Sequence, residues 1–453
     1  MQVAFDLEDA ASYRRFLAVK SLPTYRIVGR TATFPDEYAD RLGMGRPATD
    51  GGSYEPLPGL FDYQRDITRL AVERRKFAVF ADCGLGKTLI LLEFARHAAK
   101  AIGERRVLIV SPLMVVGQTV AECGRFYGDS LPIEVVKAAK LAEWLESPGP
   151  AVGITNYDAL TDDLPQGGLG ALILDESSML KSHYGKWGQA CIRLGRGLDW
   201  KLALTGTPAP NDRIEYANHA VFLDAFPTVN SFLARFFVNR GQTQERWEMK
   251  PHAIGPFYRA LSHWSIFLTN PSTYGWKDNA GSIPPIRTHI HEVELTDAQN
   301  AATRDLTGML FAGDPGGIGK RSKLARIAKT GDSLKPAFIR SLIESWPDES
   351  TLVWCKFNEE QDRLAKELPG AASISGDTPI DERLAIIERF KAGDVRTLVS
   401  KPKILGFGLN LQRATRQVFS TLHDSYEEFY QAVKRSNRVG STRPLNVHLP
   451  VTE

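Results

Sequence analysis

The run AVFADCGLGKT, residues 78–88, constrains this chain more than any other stretch. Its apolar start predicts a strand and its middle a loop built on Gly84 and Gly86. The following LILLEFARHAAK, residues 89–100, has the apolar spacing of a helix. A strand that turns through glycines into a helix can cradle a polyphosphate. The glycines accept backbone angles that a Cβ resists, their N–H groups turn inward, and the helix N-terminus favours the anion. Lys87 is then placed to reach the β and γ phosphates of a nucleoside triphosphate, and Thr88 to offer its hydroxyl to the magnesium ion that partly neutralises them. Ala81, Asp82, Cys83, Gly84, Leu85 and Gly86 line the cradle, with Ala81 standing where the strict pattern has its first glycine. A second glycine stretch, GDPGGIGKRS at residues 313–322, has no preceding strand and carries Arg321 where Ser or Thr is needed; it reads as a loop.

At 453 residues the chain has room for two or three domains, each with its own core. Lys plus Arg number 56 against 53 Asp plus Glu, a net charge of +3, so a polyanion must be held by a local patch and not by the overall field. The four cysteines, Cys83, Cys123, Cys191 and Cys355, show none of the paired spacings of a zinc site and fit a reducing cytosol. The N-terminal MQVAFDLEDA carries acids where a secretion signal carries bases, and no apolar run approaches the ~20 residues of a membrane span. The expectation is a soluble, cytoplasmic protein without a membrane partner.

Residues 1–58 read as a small α+β appendage and linker. VAF predicts a strand, LEDAASYRRFLAVK a helix, YRIVGRTATF a hairpin turning at Gly29 and Arg30, and FPDEYADRLG a short helix; the Pro/Gly-rich run 46–59 reads as the linker. Arg14, Arg15, Lys20, Arg26 and Arg30 suit either a nucleic-acid backbone or a solvated face. From Leu60 strands and helices alternate. Strands are expected at 77–80, 107–110, 152–155, 171–174 and 201–204, the pattern of a parallel sheet covered on both faces. In such sheets ligand residues gather at the carboxyl ends of strands. The polar clusters of this region, including those beginning at Ser111, Thr155, Asp175 and Thr205, sit there.

DESS follows the apolar strand ALIL. Asp175 is placed to hold magnesium through water and Glu176 to orient and deprotonate an attacking water, although two adjacent acids at that point also suit a helix N-cap. The pairing with GKT in the same alternating sheet selects the hydrolytic reading. Gln64, upstream of the glycine loop, has an amide that can both accept from and donate to adenine. Residues 211–285 break the alternation and read as an aromatic, helical insertion ending at Pro284 and Pro285. Residues 320–340 hold seven Lys/Arg against the single Asp332, which suits a phosphate backbone or a solvated helix face. A second alternating unit begins at Thr351 and has no glycine loop of its own.

Taken as an ordered set, these motifs resemble the Swi/Snf-type ATP-dependent DNA translocases of helicase superfamily two. LFDYQ looks like their Q motif, ADCGLGKT their motif I with its characteristic alanine, VLIVSPLMVVGQ motif Ia, LILDESSMLKS motif II and LALTGTPAPND motif III. TLVWCKFNEEQDRLAKEL is similar to motif IV, ILGFGLNLQ to motif V and QAVKRSNRVGSTRP to motif VI. The resemblance spans residues 60–450, leaves the appendage unexplained, and in its compactness is similar to versions carried by bacteriophages and mobile elements. It departs from the family at DESS, where an acidic pair is usually followed by a small residue and His, and at Ser441, where Gln is common.

The resemblance implies an α/β fold of two RecA-like lobes with parallel sheets: lobe 1 at 59–210, a helical insertion and hinge at 211–295, and lobe 2 at 296–453. It implies ATP with Mg2+ in the cleft and DNA, double-stranded or branched, across both lobes of a monomer. Gly408 in motif V and Gln431 in motif VI join the nucleotide-binding set. Arg435 and Arg438, three apart and expected on one helix face, point at the γ phosphate. The activity implied is a DNA-stimulated ATPase that moves along duplex DNA. The alternatives are a strand-separating or branch-migrating helicase and, from another class, a nucleotide-dependent recruitment module that does not hydrolyse.

Overall fold

The computed structural model describes every residue except 7, 23–24, 35, 45–53, 183–184, 242–245, 278–282, 311–332, 406–408, 423–424, 439–440 and 453. The chain divides into two compact units, Met1–Asn279 and Ala280–Glu453.

The first unit opens with the appendage: β1 (Gln2–Ala4), α1 (Ala10–Lys20), β2 (Arg26–Val28) and β3 (Thr31–Thr33), an antiparallel sheet in the order β1-β3-β2. Asp9 caps α1 by accepting from Ala11 N and Ser12 N, and Gly29 takes the positive φ of 58° that the hairpin turn requires. Val3, Phe5, Val19, Leu22, Ala32, Phe34 and Tyr38 form its own small core. The appendage rests on the insertion: the Tyr38 ring meets His263 edge-on at 5.3 Å.

The main sheet of this unit is parallel, in the order β12-β4-β9-β8-β5-β7-β6. Its members are β4 (Lys76–Ala81), β5 (Arg106–Ser111), β6 (Ile133–Val135), β7 (Val152–Asn156), β8 (Leu169–Leu174), β9 (Trp200–Thr205) and β12 (Ser265–Leu268). The central strands β5, β8 and β9 are buried at every residue, as a sheet covered on both faces requires. Helices α2 (Asp62–Arg74), α3 (Lys87–Ile102), α4 (Leu113–Tyr127), α5 (Leu141–Glu146) and α6 (Lys186–Leu194) come in chain order among those strands. Helices α7 (Tyr216–Phe222), α8 (Val229–Phe236) and α9 (Ile254–Trp264) build the insertion, with a small hairpin of β10 (Phe237–Asn239) and β11 (Trp247–Met249).

Two expectations about this unit change. The insertion is not helical throughout: SIFL leaves α9 as β12 and pairs with the glycine-loop strand, Ile266 opposite Val79. An edge strand there satisfies the open side of β4, including Asp82 N, which donates to Leu268 O at 2.8 Å. The end of the presumed linker is also fixed, because buried Glu93 of α3 accepts from Tyr54 OH and Leu57 N, each at 3.1 Å, and pairs with Arg96.

The second unit holds a six-stranded parallel sheet in the order β13-β18-β17-β14-β16-β15. Its strands are β13 (Ile286–Glu292), β14 (Thr351–Trp354), β15 (Ala372–Ile374), β16 (Thr397–Ser400), β17 (Arg416–Phe419) and β18 (Leu445–Val451). Its helices are α10 (Asp297–Leu310), α11 (Lys335–Glu344), α12 (Asn358–Glu367), α13 (Ile380–Ala392) and α14 (Tyr426–Lys434). Strand β13, read from the sequence as hinge, is the edge of this sheet and pairs along its length with β18. No helix among the described residues is long and apolar enough to cross a membrane.

Candidate active site

The glycine loop joins β4 to α3 as its spacing predicts. Gly84 and Gly86 take φ of 88° and 64°, and Gly86 is the N-cap of α3, so the helix N-terminus opens on the loop. Lys87 folds its ammonium into the loop, donating to Ala81 O at 2.9 Å and Asp82 O at 3.3 Å. Asp82 turns its carboxylate onto Cys83 N at 2.6 Å, and Leu85 is buried. Thr88 follows in the first turn of α3, half-buried.

Helix α2 braces this loop. Gln64 is 1 % exposed; its Oε1 accepts from Phe61 N at 3.0 Å and its Nε2 donates to Gly86 O at 3.3 Å. A Cβ on Gly86 would collide with that amide, so the glycine is required for the close approach as well as for its backbone angle. Tyr63, absent from the sequence reading, donates to Leu85 O at 3.1 Å. Gln64, expected to meet adenine, lies on α2, and the contacts of its amide here are with protein backbone.

The acid pair lies two strands from the glycine loop, with β9 between. The register sets Phe80 beside Thr205, Ala203 beside Leu174 and Leu174 beside Val110, which brings the carboxyl ends of β4, β9, β8 and β5 to one edge of the sheet. Asp175 and Glu176 are 8 % and 7 % exposed. Ser111 Oγ donates to Asp175 Oδ2 at 2.9 Å, Glu176 N to Asp175 Oδ1 at 3.0 Å, and Thr205 Oγ1 to Glu176 Oε2 at 3.2 Å. Thr205 Oγ1 also accepts from Thr207 N at 3.2 Å, so the TGTP turn is tied to the acid it supports. A Cβ on Gly206 would sit 3.4 Å from both Ala81 O and Cys83 Sγ, which measures how closely this turn approaches the glycine loop. Ser111 and Thr205 stand where the sequence marks polar strand ends, but their bonds to the acids needed the register.

Burial, followed by the charge of Glu176, pushes the Asp175 carboxyl up to about 6; the Ser111 hydroxyl and the Lys87 ammonium oppose that rise. Glu176 sits in the left-handed region, φ 46° and ψ 52°, uncommon for a residue with a Cβ. The preceding carbonyl is anchored by Tyr157 OH, 2.7 Å from Asp175 O. Buried acid, hard oxygen donors and an adjacent lysine suit a hydrated divalent cation and a phosphate chain.

In the second unit the expectation for motif VI is corrected. Helix α14 ends at Lys434, Arg435 is its C-cap, and Arg438 lies in the turn beyond, so the two arginines do not share a helix face. The helix stops because its last carbonyls are taken within the turn, Arg435 N bonding Ala432 O and both Ser436 N and Asn437 N bonding Val433 O. Arg435 is 4 % exposed, while Arg438 is half-buried and donates to Leu409 O at 3.3 Å. Gln431, on α14, donates to Glu427 Oε1 at 3.2 Å. Gly408 lies outside the described residues. So do Lys320, Arg321 and Lys323 of the basic run; within its described part Lys335 is buried with Nζ on Pro450 O at 2.7 Å, and Arg340 pairs with Glu344 and Glu367.

The family model described as the SNF2-related domain matches residues 77–305, and that of the helicase conserved C-terminal domain residues 334–440. The chain belongs to the SNF2-related family. It is similar to the DNA annealing helicase and endonuclease ZRANB3 of Mus musculus, 22% identical over 86% of this chain and 38% of that protein. It is similar to the putative ATP-dependent helicase/translocase YwqA of Bacillus subtilis, 24% identical over 82% of this chain and 43% of that protein. The chain thus spans about two fifths of the length of these two relatives. Among solved structures, the Sulfolobus solfataricus SWI2/SNF2 ATPase core in complex with dsDNA matches at a TM-score of 0.44 and 20% identity, over 88% of this chain and 89% of that one.

Proposed function

We propose that this chain is an ATP-dependent DNA translocase, hydrolysing ATP to ADP and phosphate and coupling that step to movement along duplex DNA. The observation that carries the reading is the hydrogen-bonded edge of the first sheet, where two adjacent buried acids share one rim with the glycine loop through Thr205 and the TGTP turn.

The chemistry follows from the side chains. Lys87 binds the β and γ phosphates with a positive charge preset in the loop, and the N–H groups from Gly84 to Thr88 receive their oxygens. Thr88 and Asp175 are the residues that would hold Mg2+, which when bound would supply charge neutralisation for the phosphates and a template for their orientation. Glu176 accepts a proton from water as the water oxygen bonds the γ phosphorus and the bond from that phosphorus to the bridging oxygen breaks. Thr205 keeps the Glu176 carboxylate turned to this work. Gln64 and Tyr63 stiffen the loop from behind. Arg435 and Arg438 act on the transferred phosphoryl group; that role rests on their motif.

A concrete test is the ATPase rate of wild type and Lys87→Ala with no nucleic acid, duplex DNA, single-stranded DNA, a four-way junction and RNA. The expected result is stimulation by duplex or branched DNA in the wild type and loss of turnover in Lys87→Ala with an unchanged melting temperature. Equal rates in the two proteins would remove the site assignment. Stimulation by RNA alone would remove the DNA reading. In the same assay Arg438→Lys should keep ATP binding but lose most stimulated turnover, because lysine lacks the planar fork that engages two phosphate oxygens.

A further inference from the structure

Helix α7 carries two side chains that belong to no recognised motif. Asn218 and His219 are 1 % and 0 % exposed, and both meet the segment that leaves the acid pair. Asn218 Nδ2 donates to Leu180 O and Ser182 O, each at 2.7 Å. His219 Nε2 lies 2.9 Å from the hydroxyl of Ser177, the residue that follows Glu176. Together they hold both ends of the single 3₁₀ turn Ser177–Leu180. The His219 ring also stands edge-on to Phe80 of the glycine-loop strand, centroids 5.3 Å apart at 90°, so it is wedged between β4 and the acid turn. On the other side of Asn218, helix α6 approaches at Gly188, where a Cβ would stand 2.6 Å from Asn218 Nδ2.

The start of α7 is tied to the TGTP region. Glu215, the residue before the helix, accepts from Asn211 N at 3.2 Å and Asn211 Nδ2 at 2.8 Å. One short, fully packed helix therefore spans from the end of the TGTP segment to the turn behind Glu176. Burial pushes the His219 imidazole down to about 4, so it is neutral and serves as a hydrogen-bonding wedge.

We propose that Asn218 and His219 are positioning residues for Glu176, acting through the turn 177–182 and setting the rate of the hydrolytic step. The physical reason is the backbone of Glu176. A left-handed conformation at a residue with a Cβ persists only where its surroundings over-determine it. Thr205 and Tyr157 hold the site from the strand side. On the exit side Ser177 is the first residue past the strained one, and His219 is the side chain bonded to it. Releasing that bond lets the turn relax and the carboxylate drift from the position in which it meets water, while the phosphate-binding groups on the glycine loop stay in place. The inference rests on the hydrolytic role proposed for Glu176.

The experiment is steady-state ATPase with saturating duplex DNA, expressed per nucleotide-binding site, for His219→Leu, His219→Gln, Ser177→Ala and the double variant His219→Leu/Ser177→Ala. His219→Leu and Ser177→Ala should each lower kcat roughly five- to tenfold, the worth of one buried hydrogen bond, with KM for ATP within about twofold of wild type. The double variant should fall no further than either single one, because both remove the same bond. His219→Gln, whose amide nitrogen reaches the place of Nε2, should recover most of the rate. Wild-type kcat in both single variants, or losses that multiply in the double variant, overturns the proposal. Should His219→Leu fail to fold, Ser177→Ala and His219→Gln decide alone: wild-type kcat in Ser177→Ala, or a His219→Gln rate as low as that of Ser177→Ala, overturns it. Glu176→Gln run alongside separates the two inferences. Full turnover in Glu176→Gln removes the hydrolytic reading itself, whereas an inactive Glu176→Gln beside unaffected Ser177 and His219 variants removes only the positioning role.

Discussion

Two buried carboxylate sites, one in each unit, are treated in opposite ways. Glu360, 2 % exposed at the start of α12, receives four hydrogen bonds: Ser420 Oγ at 2.5 Å and Thr421 Oγ1 at 2.6 Å on one oxygen, Lys356 N at 2.9 Å and Phe357 N at 3.3 Å on the other. Asp175 and Glu176, nearly as buried, share three donors between two adjacent carboxylates among the described residues. A carboxylate saturated with donors is a structural joint, here pinning β17 and the loop after β14 to α12. An under-supplied pair costs the folded protein energy. The difference sets a residue bound into the fold apart from the pair to which we assign the chemistry, and it needs no motif.

Glu176→Gln gives the sharpest break and the largest effect. It should lower turnover by about 10² to 10⁴, the range of a lost general base, with ATP binding and melting temperature held. A melting temperature that falls with retained turnover would move Glu176 into the class of Glu360.

Asp175→Asn follows. Because the folded carboxyl titrates at about 6 against an ordinary 3.8, the folded state binds the proton more tightly, and the stability this confers is complete below pH 4 and lost as pH rises through 6. Asparagine carries no charge to bury. In metal-free buffer at pH 7 the variant should be more stable than wild type by at most about 3 kcal/mol, with no difference below pH 4. Thermal unfolding across pH 4–8 measures this, and a less stable variant at pH 7 contradicts the account.

Glu360→Gln should move the other way, losing about 1 to 3 kcal/mol of stability by breaking a satisfied buried network while turnover per folded molecule stays at wild type. The smallest contrast removes one hydroxyl on each side. Thr205→Val should slow turnover by roughly three- to tenfold and cost about 1 kcal/mol of stability, and Ser420→Ala should cost about 1 kcal/mol of stability with no kinetic effect. A kinetic effect from Ser420→Ala would erase the distinction.

Much of the first unit was legible before any coordinates. Apolar runs of five or six residues ending in polar clusters are enough to place buried parallel strands and their ligand-bearing ends, and the expected strands fall within β4, β5, β7, β8 and β9. The glycine loop was legible because backbone angle is a local property, and Gly84 and Gly86 adopt the positive φ that motif demands. Elements held by distant partners were harder to read. SIFL carries no signal separating it from the helix before it, and it becomes a strand because β4 lies open beside it. Arg435 and Arg438 have helical spacing, yet the helix ends at Lys434, ahead of both, since hydrogen bonds to Ala432 O and Val433 O close it there.

The site divides along the same line. Amino-acid order named the lysine, the threonine and the two acids, because each must follow directly from a strand or a loop whose pattern is written in neighbouring residues. Strand order inserted β9 between β4 and β8 and so made Thr205 the partner of Glu176. Packing brought Tyr63 and Gln64 against the glycine loop and Asn218 and His219 against the acid turn. These are contacts between residues 22 to 42 positions apart in the chain. No local periodicity encodes them; they exist because two hydrophobic faces exclude water and leave their few polar groups only one another to bond.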